Sequence, residues 1–143
     1  MYDDILLPTD GSSLIVDALE HALTIAKDHD STIHVLYVYD KRHFMAAPEE
    51  TREEIKHSLD EEADRAIDDA QVRIEDEGLA CKSVTMEGVP HKTITEYATD
   101  NGIDLIVMGT HGKTGPEQIA TLGSTTERVV KSGDVPVLVV ELN

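Results

Sequence analysis

The segment from Leu105 to Thr126 constrains the fold more strongly than any other part of the chain. An apolar run, Leu105–Met108, leads directly into a glycine-rich turn, and Gly123 then precedes a Ser/Thr-rich helix start. Glycine lets backbone N–H groups approach an anion, and a helix start carries about half a positive charge. A strand, a glycine turn and a helix start in this order predict a phosphate-binding loop. The alternative is an ordinary strand-to-helix connection that needs glycine only to turn.

Acidic residues are sparse in this segment although they dominate the chain. The sequence of 143 residues holds 29 acidic and 12 basic side chains, for a net charge of −17. An even distribution would place about four acidic residues in this segment, which contains only Glu117. Acidic side chains are thus depleted where an anion is expected to bind.

The net charge also bears on partners and environment. It argues against DNA, RNA or an anionic membrane as a partner. Scarce lysine and an aromatic content of 3% accompany the acidic excess, and concentrated salt would screen the resulting self-repulsion. These features predict a halophilic protein from a salt-rich cytoplasm. The alternative is an acidic protein of ordinary salt conditions.

Length and cysteine content indicate one cytoplasmic domain spanning residues 1–143. The length suits a single core, and the sequence has no apolar run of membrane-spanning length. The first residues are acidic, unlike a signal peptide. Cys81 is the sole cysteine, so an internal disulfide is excluded and a reducing compartment fits.

Strand and helix patterns alternate along the chain. Alternation of this kind predicts an open α/β fold with a parallel sheet. The predicted strands are Ile5–Leu7 (ending at Pro8), Thr32–Tyr39, Lys82–Met86, Leu105–Met108 and Val135–Leu142. The predicted helices begin after Ser12 or Ser13, after the loop Asp40–Pro48, at His91 and at Ser124.

Ligands of open parallel sheets bind at the carboxyl ends of strands, where the strand order reverses. This rule places Pro8, Thr9 and Asp10 beside the glycine-rich turn. The Asp10 carboxylate can accept from ribose hydroxyls or hold Mg²⁺ near phosphates, or it is simply a turn or cap residue. Lys113 and His111 are candidates for contacting phosphates, with solvent exposure as the alternative. The hydroxyls of Ser124 and Thr125 can cap the helix and also donate to phosphate.

Several familiar catalytic motifs are missing from the sequence. It contains neither the Walker pattern GxxxxGK[ST] nor GxGxxG, which counts against P-loop NTPases and dinucleotide enzymes. It also lacks the GxSxG nucleophile motif and the HExxH zinc motif. No feature of the sequence demands catalysis.

The motifs together resemble the universal stress protein family over nearly the whole chain. The resemblance is carried by Pro8–Ser12, Gly88–His91, Asp104–Gly115, Gly123–Val130 and Pro136–Val140. It implies a Rossmann-like five-stranded parallel sheet in the order 3-2-1-4-5 with helices on both faces. It also implies a homodimer, in which pairing through Pro136–Leu142 would cover an exposed edge strand.

One branch of that family binds ATP through Gly-x₂-Gly, nine residues, then Gly-Ser/Thr. Gly109, Gly112, Gly123 and Ser124 match this pattern, but ten residues separate Gly112 from Gly123. The extra residue must bulge out, which keeps both anchor points, or shift the loop, which spoils phosphate contacts. By resemblance, Pro8, Thr9, Asp10 and Val38 meet adenine and ribose, and Met108 and Val89 close the pocket. The triphosphate meets Gly109, Thr110, His111, Gly112, Lys113, Gly123, Ser124 and Thr125.

The sequence therefore predicts a dimeric stress-response protein that binds ATP with Mg²⁺ and acts as a regulator or sensor rather than an enzyme. ADP and AMP are alternative ligands. A second hypothesis is a family member that binds no nucleotide and acts through protein contacts. A third is a slow nucleotide hydrolase, for which Asp10 and His111 are the candidate bases.

Overall fold

The computed structural model describes residues 1–10, 15–40, 42–110 and 123–141. Within these ranges strands and helices alternate as the sequence predicts. In chain order they are β1 (Asp4–Thr9), α1 (Ile15–His29), β2 (Thr32–Tyr39), α2 (Arg42–Met45), α3 (Glu49–Asp76), β3 (Ala80–Glu87), α4 (Pro90–Asp100), β4 (Leu105–Gly109), α5 (Ser124–Ser132) and β5 (Val137–Val140).

The five strands form one parallel sheet in the order β3-β2-β1-β4-β5. This confirms the predicted strand order and orientation. Beginning at β1, the chain adds β2 and β3 on one side, then crosses back to place β4 and β5 on the other. The order therefore reverses between β1 and β4, the position at which ligand crevices form in such sheets.

Two apolar clusters cover the two faces of the sheet. On one face, Ile5 and Leu7 of β1 pack with residues of α1 and α3, including Leu19 and Ile74. On the other face, Leu6 packs with residues of α4 and α5. Successive β1 side chains thus enter opposite clusters, as the two-residue period of a strand requires. The prediction of helices on both faces is confirmed.

Strand β1 differs from its predicted form at Pro8. The sequence predicted that the strand ends there, but β1 continues to Thr9, so this prediction is wrong. Pro8 and Thr9 stay in register with Leu36 and Tyr37 of β2. Proline already has a backbone angle compatible with an extended strand, and its missing N–H removes only one donor.

The segment after β2 also departs from expectation. The predicted loop Asp40–Pro48 contains the four-residue helix α2. A helix this short has no apolar period to reveal it in the sequence.

The last strand is shorter than the predicted strand Val135–Leu142. β5 spans Val137–Val140, and Leu142 lies outside the described residues. The predicted helix caps Ser12 and Ser13 also lie outside them.

A buried polar network fixes α4 on the sheet near the amino ends of the strands. His34 of β2 is 2% exposed. One ring nitrogen, Nδ1, lies 2.8 Å from the Tyr97 hydroxyl of α4, and the other, Nε2, lies 2.9 Å from the Asp4 carboxylate of β1. This network joins three elements and satisfies the polar atoms of a buried ring.

None of the helices in the described ranges combines the length and apolar character that a membrane crossing needs.

Candidate functional site

The candidate site is a crevice between the carboxyl ends of β1 and β4. The ladder between these strands joins Ile5 to Leu105 and Leu6 to Ile106, short of the strand ends. Pro8 lies just beyond that ladder and brings no N–H that would have to be paired. The two strands therefore end as neighbours at the reversal of strand order, which is where ligand crevices form in parallel sheets.

The start of α5 is tied to the end of β4. The Gly123 N–H donates to the Thr110 carbonyl, and the Thr126 hydroxyl donates to the Gly109 carbonyl at 2.8 Å. On the other side, the Thr110 N–H donates to Val140 of β5 at 3.0 Å. The two glycine positions that the sequence singled out, Gly109 and Gly123, therefore meet at one place in the fold.

Helix α5 presents its first turn at this place. The first hydrogen bond within the helix runs from the Glu127 N–H to the Gly123 carbonyl at 2.9 Å. The amides of Ser124, Thr125 and Thr126 precede that bond, where a helix offers N–H groups to an anion. Since Thr110 accepts the Gly123 amide, the N–H groups directed outward begin at Ser124.

The hydroxyls of this turn differ in exposure. Ser124 is exposed and Thr125 is half-buried, whereas Thr126 is buried at 4% exposure. That the hydroxyls of Ser124 and Thr125 contact a ligand stays a prediction. Thr126 instead holds the helix to β4, a role that was not predicted from the sequence. The sequence pattern that could have indicated this role is a threonine at the third helical position, directly after two hydroxyl residues.

The predicted apolar residues lie on one side of the crevice. Val38 and Met108 are buried in the cluster that packs α4 and α5 on the sheet. Pro8 and Val89 are half-buried. Thr9 is buried, and Asp10, at the end of β1, is exposed. The fold therefore brings these residues to one edge of the sheet.

The turn that carries Val89 is closely packed. The Gly88 N–H donates to the Tyr39 carbonyl at 3.0 Å, and the Thr93 N–H donates to the Val89 carbonyl at 2.9 Å. A Cβ atom at Gly88 would lie 2.3 Å from Thr93 Oγ1, far inside contact distance. Glycine is required at this position because the first turn of α4 approaches so closely, which places Val89 beside the end of β2.

Asp40 and Arg42 form a polar anchor that the sequence analysis did not predict. Asp40 is 5% exposed and directly follows β2. It accepts the Arg42 backbone N–H at 3.0 Å and the guanidinium Nε at 2.9 and 2.8 Å to its two oxygens. The hydrogen bond and charge of Asp40 raise the pKa of Arg42. The sequence pattern that could have indicated this anchor is a carboxylate directly after a buried strand.

The electrostatic surroundings differ between the two sides of this edge. On the α1–α3 side, burial first, and then the negative charges of Asp60, Glu62 and Asp10, raise the pKa of Tyr37 to about 12.

On the α4–α5 side the local charge has the opposite sign. The pKa of His91 is lowered, first by burial and then by the positive charges of Arg128, Lys92 and Arg42. The charges that act on Tyr37 are thus negative and those that act on His91 are positive, and one of the latter, Arg128, belongs to α5.

A protein-held metal site finds no support in the part of the chain that the structure describes. It contains no group of three or more His, Cys, Asp or Glu side chains able to hold an ion. The predicted phosphate ligands His111, Gly112 and Lys113 lie outside the described residues.

These features define a Rossmann-like α/β domain with a ligand crevice at the reversal of strand order. The family model described as the universal stress protein family matches residues 1–141. The chain belongs to this family. It is 42% identical over 142 residues to universal stress protein MJ0531 of Methanocaldococcus jannaschii. The alignment covers 99% of this chain and 83% of the relative.

Solved structures agree with this assignment. The structure of protein MJ0577, from the same archaeon, matches with a TM-score of 0.87 at 39% identity, over 98% of this chain and 96% of that one. UspA from Lactobacillus plantarum matches with a TM-score of 0.80 at 32% identity, over 97% of each chain.

Two more distant structures share the fold and carry ligands. One is a universal stress protein in complex with cAMP, with a TM-score of 0.68 at 20% identity, over 98% of this chain and 97% of that one. The other is a family protein from Arabidopsis thaliana with AMP bound, with a TM-score of 0.70 at 18% identity, over 98% and 92%.

Proposed function

We propose that this chain binds an adenine nucleotide, with ATP as the principal ligand, and acts in the cytoplasm as a nucleotide-dependent regulator of a stress response. One observation carries the proposal. The first turn of α5 is held against the end of β4 through Gly123 and Thr126, so that N–H groups and hydroxyls face the crevice where the strand order reverses.

The described residues suit the parts of such a ligand. Pro8, Val38, Val89 and Met108 supply apolar surface for a purine, and Thr9 and Asp10 are placed for ribose hydroxyls. Gly109, Thr110, Gly123, Ser124 and Thr125 surround the phosphates, and His111, Gly112 and Lys113 complete this set in the proposal. Mg²⁺ enters with the phosphates, with Asp10 as its protein contact.

The ligands of distant family structures support the choice of nucleotide. The two proteins that hold cAMP and AMP share an adenine nucleotide as ligand and the fold of this chain. Because their sequences are only 20% and 18% identical to it, they indicate which class of ligand to test first. The number of phosphates is a question for titration.

Isothermal titration calorimetry with Mg-ATP, ADP, AMP and cAMP tests the proposal. Replacing both hydroxyls, with Ser124→Ala and Thr125→Val together, should weaken ATP binding by more than about 100-fold, since each hydrogen bond to a charged group contributes about 1.5–3 kcal/mol. The matched control is Ser132→Ala at the other end of α5, where the hydroxyl bonds to Val129 within the helix. This control should bind normally.

The absence of a binding heat with every adenine nucleotide would contradict nucleotide binding. It would favour the second function, regulation through protein contacts, for which the ten-residue separation of Gly112 and Gly123 is the supporting observation. We further propose that the protein is not an enzyme and that any ATP hydrolysis is slow and incidental. Turnover above about 0.1 s⁻¹, still below the usual enzyme range, that disappears in Asp10→Asn would overturn this part.

We also propose that the protein is a homodimer paired through β5 and the residues flanking it. β5 is the last strand of the sheet, and its residues Val137, Leu138 and Val139 are only half-buried. Such an edge is a template for strand pairing unless it is covered. Analytical ultracentrifugation should give twice the chain mass, and Val139→Lys should shift the equilibrium toward monomer. A monomeric unmodified protein would exclude this interface.

The net charge supports a further part of the proposal, a salt-rich cytoplasm as the working environment. A chain of charge −17 repels itself at low salt, and KCl screens that repulsion. Thermal unfolding should therefore shift upward between about 0.1 and 2 M KCl, where the Debye length falls well below 10 Å. An unchanged midpoint would remove the halophilic assignment. The same charge leads us to expect no binding to DNA, RNA or anionic membranes.

A further inference from the structure

We propose that the positive charges of Lys92 and Arg128, with His91 and the neutralised Arg42 beside them, form a cationic rim on the α4–α5 side of the crevice, and that this rim attracts anionic ligands and fixes the side from which they enter. The inference rests on the proposed function, because the ligand it concerns is an adenine nucleotide. It adds a set of residues that guide the ligand to the residues that bind it.

The rim residues come from α4 and α5, whose first turns lie beside site residues, and from α2. His91 and Lys92 lie in the first turn of α4, directly after the turn that carries Val89. Arg128 lies one helical turn beyond Ser124, and residues three or four apart share a face of a helix. Helices α4 and α5 pack against each other, which brings the contributions of the two helices together.

Arg42 differs from the other members because it is neutralised and fixed in place. The buried Asp40 carboxylate pairs with the Arg42 guanidinium. This pair fixes the position of the Arg42 side chain and adds no net charge. Arg128 and Lys92 are therefore the residues available for steering. Within the described ranges, neither Lys92 nor Arg128 makes a salt bridge, and both are exposed.

The acidic neighbour of the rim has its own partner. Glu127 is next to Arg128 in the chain, but its carboxylate lies 2.8 Å from Lys131 Nζ. This pair offsets its own charge, so Glu127 does not cancel the positive charge of Arg128.

The opposite side of the crevice repels anions. Asp10, Asp60 and Glu62 all act on Tyr37 with negative charge, and the chain as a whole carries −17. An approaching polyphosphate therefore meets an unfavourable potential over most of the molecule and a favourable one over the rim. Fields of this kind raise association rates by about 10-fold or more and weaken with salt, while they change dissociation little.

Stopped-flow association of a fluorescent ATP analogue, in the presence of Mg²⁺, tests the rim. The test variant combines Lys92→Gln with Arg128→Gln. The control variant combines Lys27→Gln with Arg73→Gln, in the last turns of α1 and α3, and changes the net charge by the same amount. Both pairs of residues are on the surface, and circular dichroism verifies the fold of each variant.

The rim predicts that association of the test variant is about 3- to 10-fold slower than that of the control at low salt, with dissociation unchanged. The difference should vanish at high salt, where the Debye length is about 3 Å. Adenosine, which is neutral, should compete for the site equally well in both variants.

Three outcomes would overturn the inference. Equal association rates in the two variants would show that the position of these charges is unimportant. A change confined to dissociation would show that the side chains bind the ligand directly rather than guide it. If the unmodified protein binds no ATP analogue, the proposed function is contradicted, and the rim with it. This outcome differs from failure of the rim alone, because the control variant then fails to bind as well.

Discussion

The hydroxyl of Thr126 is expected to determine both the stability of the protein and the shape of the crevice. It is buried at 4% exposure and donates to the Gly109 carbonyl at 2.8 Å. Thr126→Val keeps the shape of the side chain and removes the donor. The carbonyl then loses a partner in a buried position, which costs about 1–3 kcal/mol, and the added methyl group returns less than about 1 kcal/mol.

The expected net loss is therefore about 1–2 kcal/mol in the free energy of unfolding. With a urea dependence of about 2 kcal/mol per molar, the unfolding midpoint should fall by about 0.5–1 M. All variants must be compared at one protein concentration, because association would couple to unfolding. Thr24→Val is the matched control: it is exposed, and its hydroxyl bonds to Glu20 of its own helix. That change should stay within about 0.5 kcal/mol.

A second measurement separates positioning from stability. Thr126→Ser keeps the hydroxyl and should retain the β4–α5 connection, so ATP affinity should be preserved in this variant and reduced in Thr126→Val. If Thr126→Val is as stable as Thr24→Val, the hydrogen bond does not hold α5 to β4. If valine and serine variants bind ATP alike, the first turn of the helix does not depend on this connection.

Three further predictions follow from close packing and from the shifted pKa values. Gly88→Ala should cost about 1–3 kcal/mol of stability through overpacking against Thr93, and adding Thr93→Ala should recover part of this loss in urea unfolding; no recovery would exclude the contact as the cause. Tyr37, with its pKa raised to about 12, should ionise well above pH 10 in an ultraviolet titration, and Tyr37→Phe should remove that step. The stability from burying its neutral phenol is present below about pH 10, the pKa of an unfolded tyrosine, and declines as the pH approaches 12; a Tyr37→Phe protein with the same alkaline unfolding would contradict this. Arg128→Gln should raise the pKa of His91 in an NMR titration, because it removes one of the positive charges that lower it. Since the folded-state pKa of His91 is depressed, its contribution to stability is present above the unfolded pKa and is lost as the pH falls; an unchanged His91 titration would show that Arg128 lies too far away to matter.

The sequence was sufficient to predict the fold because its signals are local and agree with one another. The sequence predicts an apolar stripe on the long helix α3, made of Ile55, Leu59, Ala63, Ala66, Ile67, Ala70 and Ile74. Four of these residues, Ala63, Ile67, Ala70 and Ile74, are buried, and the other three are half-buried. The predicted strand order came from the family resemblance and is confirmed by the sheet.

The predicted end of the first strand at Pro8 failed for a physical reason. A proline removes a donor but does not end a strand whose register with β2 continues. The sequence cannot show where neighbouring strands part, because that depends on pairing between distant segments.

The site was predicted less completely than the fold. The proximity of Gly109 and Gly123 followed from the topology, and the hydrogen bond from Gly123 to Thr110 confirms it. The role of Thr126 depends on a tertiary hydrogen bond, and that of Asp40 depends on a local pair with Arg42; neither produces a period in the sequence. The residue assignments for the nucleotide stay predictions, including those for His111, Gly112 and Lys113.

The buried histidine network has a consequence for the opposite end of the sheet. Helix α4 spans 11 residues, about 16 Å at 1.5 Å per residue. Tyr97 is bonded to His34 two turns away from Val89, so the helix cannot slide or rotate about its axis without breaking that bond. Val89, which we propose as one wall of the purine end of the crevice, therefore depends on a bond near the amino ends of the strands, and losing the Tyr97 hydroxyl would leave that proposed wall without its distant support.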